Sequence, residues 1–363
     1  MKQSPASTWV HQFLLLPATV FPVLLMLACW TSFTNPPPID FFSFWTGAQL
    51  VLAGNAAQAY QSQMSGFGLL MPLAYPPPFL LLIAPFGLIS FGSAFAVWSI
   101  ATGGLYLAAT GSPRRAALAC PPAAANALVG QNGFLTTAIL LIGLRQLTQH
   151  PWLVGAIFGL MVIKPQLAML LPLALVAGGH WKALIGAAAS ASCLIALAFF
   201  VFGFGAYQGF ADVLLRYSSL LQDGRWPWNE LASSYALVRW SGAGHGVALS
   251  VHIGIASIAA LIVWTAWRND WACKVPVFAA ATLLISPYLF TYDAVLLAAP
   301  LAWLTMRKPG WAMVVWCLAL VPLLRNVGYP GPNAIPLAVI AALVAMILPD
   351  RDGATAGTAS DPV

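Results

Sequence analysis

Apolar residues run in long blocks along this chain, interrupted only by brief polar punctuation, from Phe13 to Leu348. Blocks occupy 13–33, 76–91, 93–111, 116–129, 133–148, 152–163, 167–179, 183–203, 246–267, 275–289, 293–306, 310–324 and 333–348. A helix that spans a bilayer needs roughly 20 mostly apolar residues. The pattern therefore predicts an all-α polytopic membrane protein with about ten to thirteen crossings. The first block is too long for a signal peptide and lacks a small-residue cleavage site, so it reads as a retained first helix. Between it and the next block lie Asn35-Pro36-Pro37-Pro38 and a stretch from Phe41 to Gln63 that mixes aromatics with Gly, Gln and Asn. That stretch is too polar to span and too apolar to float free, which predicts amphipathic helices along the membrane surface in a first outer loop, 34–73. A second long outer loop is expected at 204–245. One transmembrane domain, 1–349, would then end in a disordered tail, 350–363.

Composition agrees with this solvent assignment. Hydrophobic residues make up 60% of the 363 residues and charged residues only 7%, with a mean hydropathy of +0.84. Fifteen Lys and Arg stand against nine Asp and Glu, but the cations are scattered singly or in pairs between blocks. That distribution suits the positive-inside rule and not a nucleic-acid surface. Arg268, Lys274, Arg307, Lys308 and Arg351 mark alternate boundaries as cytoplasmic. Counting back places Asp40, Gly130 to Asn132, Lys164, the 204–245 loop and Asp293 on the opposite, outer side. Between Asp40 and Arg114 the count needs an odd number of crossings where the blocks suggest two. Either 76–91 re-enters the face it left, or Arg114 and Arg115 depart from the rule.

Three polar interruptions share the outer side: Gly130-Gln131-Asn132-Gly133, Lys164-Pro165-Gln166, and Ser286-Pro287-Tyr288 with Tyr292-Asp293. Each has a structural explanation as a turn or cap. Lys164 asks for more, because apolar blocks flank it and no acid is near it in sequence. It either snorkels to the surface or lines a polar cavity where an ammonium would suit a phosphate. Asp40 is the first acid of the chain and the next is Asp212. The five cysteines lie in or beside apolar stretches without CxxC spacing and read as packing residues. His11, His150, His180, His245 and His252 are dispersed, which argues against a metal site. Phosphate loop, dinucleotide fingerprint and HExxH motifs are missing from the sequence.

The order of these elements resembles glycosyltransferase family 87, the polyprenyl-phosphate-mannose-dependent mannosyltransferase type within the multi-helix GT-C class. The matching residues are Asp40-Phe41-Phe42-Ser43-Phe44-Trp45, Gly54, Ala59-Tyr60 and Tyr75-Pro76-Pro77. They continue with Gly130-Gln131-Asn132, Lys164-Pro165-Gln166, Asn229 with Ser233 and Ser234, and Ser286-Pro287 with Tyr292-Asp293. Each motif is short, and the shared order over residues 12 to 345 carries the resemblance. Where relatives often have histidine after the Ser-Pro motif, this chain has Tyr292 and Asp293. Their Asn-rich outer segment is matched only partly by Trp228-Asn229-Glu230-Leu231-Ala232-Ser233-Ser234.

The resemblance implies a GT-C-like bundle in a bacterial inner (plasma) membrane, with its site facing the periplasm or exterior. It implies transfer of a hexose, mannose in most relatives, from a polyprenyl-phosphate donor to the hydroxyl of a lipid or glycan acceptor. Asp40 would be the general base. Tyr75, Gln131, Asn132, Lys164, Gln166, Asn229, Glu230, Ser234, Tyr292 and Asp293 would bind substrate, with no metal, cofactor or nucleic acid required. The rival readings are a transporter or flippase of lipid-linked sugars, which would show internal repeats with paired broken helices, and a non-catalytic assembly subunit.

Overall fold

The computed structural model describes residues 39–61, 73–110 and 119–349. The first apolar block, Arg114 and Arg115, and the tail lie outside these residues. Among the described residues 77% are helical and no strand is present, so the chain is an all-α membrane protein. Its α-helices in chain order are α1 (Ile39–Leu52), α2 (Pro78–Ile83), α3 (Phe91–Thr110), α4 (Pro121–Val129), α5 (Gly133–Gln146), α6 (Pro151–Gly159) and α7 (Leu171–Ala177). They continue as α8 (Trp181–Gln222), α9 (Ser234–Trp240), α10 (His245–Arg268), α11 (Lys274–Thr282), α12 (Ala298–Arg307), α13 (Pro309–Leu320) and α14 (Ile335–Ile347).

Most helices start and stop where the apolar blocks do, but many are shorter. Among the described residues only α3, α8 and α10 are long and apolar enough to cross a membrane by length and composition. Proline accounts for much of the shortening. It opens α2, α4, α6 and α13, where a missing N–H costs nothing, and 3-10 turns extend several of the short helices. The 78–88 segment, α2 plus the 3-10 turn Ala84–Leu88, rises roughly 16 Å, about half the hydrocarbon thickness.

Both long outer segments contain helix. α1 buries Phe41, Phe44 and Ala48 against Tyr75, Phe79, Phe95 and Trp98. Its aromatics point inward because they meet other rings edge to face, with Phe44 and Phe79 centroids 4.9 Å apart. Much of the expected 204–245 loop belongs to α8, α9 and the start of α10. A straight α8 would be about 60 Å long, twice the roughly 30 Å hydrocarbon core. It breaks at Gly203 (φ 73, ψ 177), a conformation that favours glycine, and the part beyond the break lays Gly209 against Tyr60 of the 3-10 turn Ala56–Tyr60.

Packing follows membrane rules. Gly155 and Gly159 of α6 sit so close to α8 that a Cβ at either would lie 2.6 Å from Ala183 O or 2.4 Å from Ser190 Cβ. Small residues one turn apart permit this backbone approach where lipid offers no hydrophobic drive. Large apolar side chains such as Phe200, Ile253 and Leu261 point outward from α8 and α10, as lipid-facing residues do. Cys120 and Cys273 are buried, whereas Cys193 and Cys317 are exposed. The described residues form three apolar clusters, and polar residues adjoin each of them: Lys164 follows Ile163, Asp293 precedes Ala294, and Phe290 packs on the third.

Candidate active site

The turn between α4 and α5 supplies the first two polar side chains. α4 ends at Gly130, whose φ of 71° is left-handed and whose missing Cβ leaves room for Phe41 and Phe95, each 2.6 Å from where one would stand. Trp98 Nε1 donates to Gly130 O (3.0 Å), fixing the turn on the aromatic layer. At the other end Gly133 N–H donates to Asn126 Oδ1 (2.8 Å), and a Cβ on Gly133 would lie 2.4 Å from Tyr292 O. Two glycines thus press Gln131 and Asn132 between the aromatic layer and the Tyr292 backbone. Gly133→Ala should therefore cost roughly 1–3 kcal/mol of stability by overpacking. A thermal unfolding scan in detergent checks this; an unchanged midpoint would show that the turn is looser than described.

Gln131 joins the two halves of the site. Its Oε1 accepts from Tyr75 Oη (2.7 Å) and from Asn132 N–H (3.1 Å). Gln131 also hydrogen-bonds the Asp40 carboxylate. Asp40 stands in the first turn of α1, where an acid complements the helix dipole. Burial nevertheless pushes its carboxyl up to about 6. The Gln131 hydrogen bond and the Lys164 charge oppose that rise, while Glu230 and Asp293 add to it.

Lys164 is the centre of the second half. It cannot continue a helix because Pro165 follows, and its φ of −148° and ψ of 69° turn the chain between two 3-10 segments. Its side chain is 2% exposed. The ammonium donates to Asn132 Oδ1 (2.8 Å) and forms an ion pair with Asp293 Oδ1. It also lies 5.5 Å from the Tyr75 ring centroid and 5.2 Å from that of Tyr292. The acid that Lys164 lacks in its own stretch of sequence is Asp293, 129 residues away. Asp293 Oδ2 in turn accepts Phe290 N–H (3.2 Å). Asn132 Nδ2 remains buried without a partner, a donor aimed into the centre.

Asp40, Tyr75, Gln131, Asn132, Lys164, Tyr292 and Asp293 are thereby brought together, with Glu230 within electrostatic reach of Asp40. Other candidates are not. Ser234 Oγ is paired with His252 Nδ1 (2.7 Å), whose Nε2 reaches Ile285 O (3.2 Å), so the hydroxyl serves a buried packing pair. Gln166 and Asn229 are half-buried and have no hydrogen-bonded place in the cluster. Sequence reasoning missed Asn126, although a lone Asn within the Ala-rich stretch 123–127 was a signal. It also missed Tyr217, which feels the Asp40 charge from the far part of α8. Among the described residues no group of three His, Cys, Asp or Glu could hold a metal ion.

An acid, a cation, a second acid paired with the cation, and two side-chain amides thus share one cluster inside a helical membrane protein. The model of glycosyltransferase family 87 matches residues 73–287, more than half of the chain, and the protein belongs to that family. It is accordingly a membrane glycosyltransferase, acting on a sugar donor and an acceptor. The matched range holds Tyr75, Gln131, Asn132 and Lys164, while Asp40 and Asp293 lie outside it and join the site through the fold. No curated protein and no solved structure matches the chain.

Proposed function

We propose that this glycosyltransferase moves a hexose, mannose in the simplest case, from a polyprenyl-phosphate donor to an acceptor hydroxyl on the outer face of a bacterial plasma membrane, within one transmembrane domain spanning 1–349. The observation that carries the proposal is the convergence of Asp40, Gln131, Asn132, Lys164 and Asp293 from separate chain segments on one buried centre. In the reaction the acceptor oxygen attacks C1 of the donor sugar, and its proton passes to the Asp40 carboxylate. The bond from C1 to the phosphate oxygen breaks, and the polyprenyl phosphate leaves with the bonding pair. Charge developing on that oxygen is stabilised by the Lys164 ammonium and the free Asn132 Nδ2 donor. Asp293 holds the ammonium in place. No nucleotide enters, since the leaving group is already a lipid phosphate.

Donor turnover by the purified protein, measured against pH, tests the reading. A base with a carboxyl pKa of about 6 must be ionised to work. Below about pH 6, kcat/KM should fall roughly tenfold per pH unit, and it should level off above. Unfolding through this group would not mimic that loss. Because the folded pKa is raised, Asp40 contributes more to stability below its unfolded value of 3.8, and that contribution is lost as pH rises through about 6. A flat profile between pH 5 and 8, or no release of polyprenyl phosphate from farnesyl phosphate mannose at any pH, would refute the assignment.

Sidedness has its own test in a cysteine-free background. With the site outside, an impermeant maleimide should label Asp223→Cys in intact cells and Arg268→Cys only after permeabilisation; both positions are exposed. The reverse pattern would place the site in the cytoplasm.

A further inference from the structure

Asn126, the lone Asn of α4, takes up the backbone donors of the turn that carries Gln131 and Asn132. Its main-chain oxygen accepts Gly130 N–H (3.0 Å) and Gln131 N–H (3.2 Å), and its side-chain Oδ1 accepts Gly133 N–H (2.8 Å). The fourth donor, Asn132 N–H, goes to Gln131 Oε1 (3.1 Å). Every N–H from Gly130 to Gly133 is thus satisfied within the protein, three of them by one residue that is itself 1% exposed.

This arrangement departs from the ordinary capping of a helix. Asn132 occupies the N-cap of α5, where an Asn side chain usually accepts an N–H of its own first turn. Here it makes no such bond, and its Oδ1 accepts from Lys164 Nζ at 2.8 Å instead. Asn126 reaches across from the preceding helix and accepts the first N–H of α5 in its place. A Cβ on Gly133 would lie 2.6 Å from Asn126 Oδ1 and 2.4 Å from Tyr292 O, so there is no slack between α4, α5 and the segment that carries Asp293. We propose that Asn126 is a positioning residue of the active centre: by capping α5 from the preceding helix it releases the Asn132 side chain to Lys164 and aims Gln131 at Asp40. The inference rests on the transferase reading above and adds to it a residue that acts without touching substrate. Without the Asn126 acceptor, Asn132 can turn back to cap its own helix, which takes its oxygen from Lys164 and moves Gln131 with it.

The test uses the full chain in nanodiscs and reads Asp40 directly, without turnover. Infrared titration of the protonated carboxyl band, each protein taken as the difference from its Asp40→Asn counterpart, should place the native midpoint near about 6. In Asn126→Ala the charges of Lys164, Glu230 and Asp293 around Asp40 are unchanged, but the Gln131 hydrogen bond that favours the carboxylate is weakened. Its midpoint should therefore rise by about half a pH unit or more. With farnesyl phosphate mannose as donor, its kcat per folded molecule should fall at least about tenfold. Arg145→Met is the control for a merely structural loss. It removes the Arg145 hydrogen bond to Thr110 O (2.7 Å) at the other end of α5, about 18 Å away, and should lower the melting temperature while leaving the Asp40 midpoint in place. Asn126→Ser, whose shorter hydroxyl stops short of Gly133, should show both changes in smaller measure and serves if Asn126→Ala does not fold. A native midpoint or a native kcat in Asn126→Ala would overturn the positioning role. A raised midpoint in Asn126→Ala, together with no turnover of the farnesyl donor by the native protein, would support the positioning role and instead sink the donor assignment.

Discussion

Asp40→Asn should fold and bind the donor but transfer sugar at least about a hundredfold more slowly than the native enzyme, since an amide cannot take the acceptor's proton. The substitution keeps the shape of the side chain and an oxygen at the first turn of α1. If Asp40 merely serves the helix end, the cost is near zero to about 1 kcal/mol and turnover is normal. The raised carboxyl of Asp40 sharpens the contrast. A group that burial already pushes toward its neutral form should lose little when made permanently neutral, so the variant's melting temperature should match or exceed that of the native protein. Slow transfer in a stable protein is thus the signature of a base. Transfer at the native rate would pass the role to Glu230, whose charge also faces this centre.

The second large effect concerns Lys164. Lys164→Met leaves the Asp293 carboxylate buried with no counter-charge, and breaking such a pair from one side costs about 3–5 kcal/mol. The single variant should therefore lose stability as well as activity, which makes it a poor probe of donor binding alone. Lys164→Met combined with Asp293→Asn removes both charges and should recover most of the melting temperature. In that stable double variant the KM for farnesyl phosphate mannose should still rise at least about tenfold, because no cation remains for the phosphate. If the double variant binds donor as the native protein does, the pair is structural only.

The parts of this site that could be read from the sequence were those whose rarity has a physical cost. A lysine between apolar blocks, a lone early acid and a Gly-Gln-Asn-Gly break all expose polar groups where lipid cannot satisfy them, and the charge count put them on one side. The pairing of Lys164 with Asp293 was not legible, because each looks unpartnered within its own stretch of sequence. The far part of α8 was hidden for a different reason. The left-handed Gly203 breaks the helix where it leaves the apolar block and lets its far part pack back on Tyr60, a bend that hydropathy does not report. Tyr217, on that far part, was concealed with it. Which side of α1 faces the protein was not legible either, since edge-to-face contacts with Phe79 and Phe95 draw its aromatics inside. Ser234 looked like a polar candidate beside Asn229 until His252 claimed its hydroxyl. Where a helix stops inside its block was not legible, since proline cuts apolar blocks into short helices and 3-10 turns without altering their hydropathy.

The central claim is that the buried cluster around Asp40 and Lys164 is where the donor phosphate is held and released. A cryo-EM structure of the native protein in nanodiscs with farnesyl phosphate tests this most directly. The account predicts the phosphate within hydrogen-bond distance of Lys164 Nζ and Asn132 Nδ2, with the first isoprene unit leading away between apolar helices. A phosphate bound away from both groups, with the Lys164 and Asp293 pair closed as it is now, would contradict it.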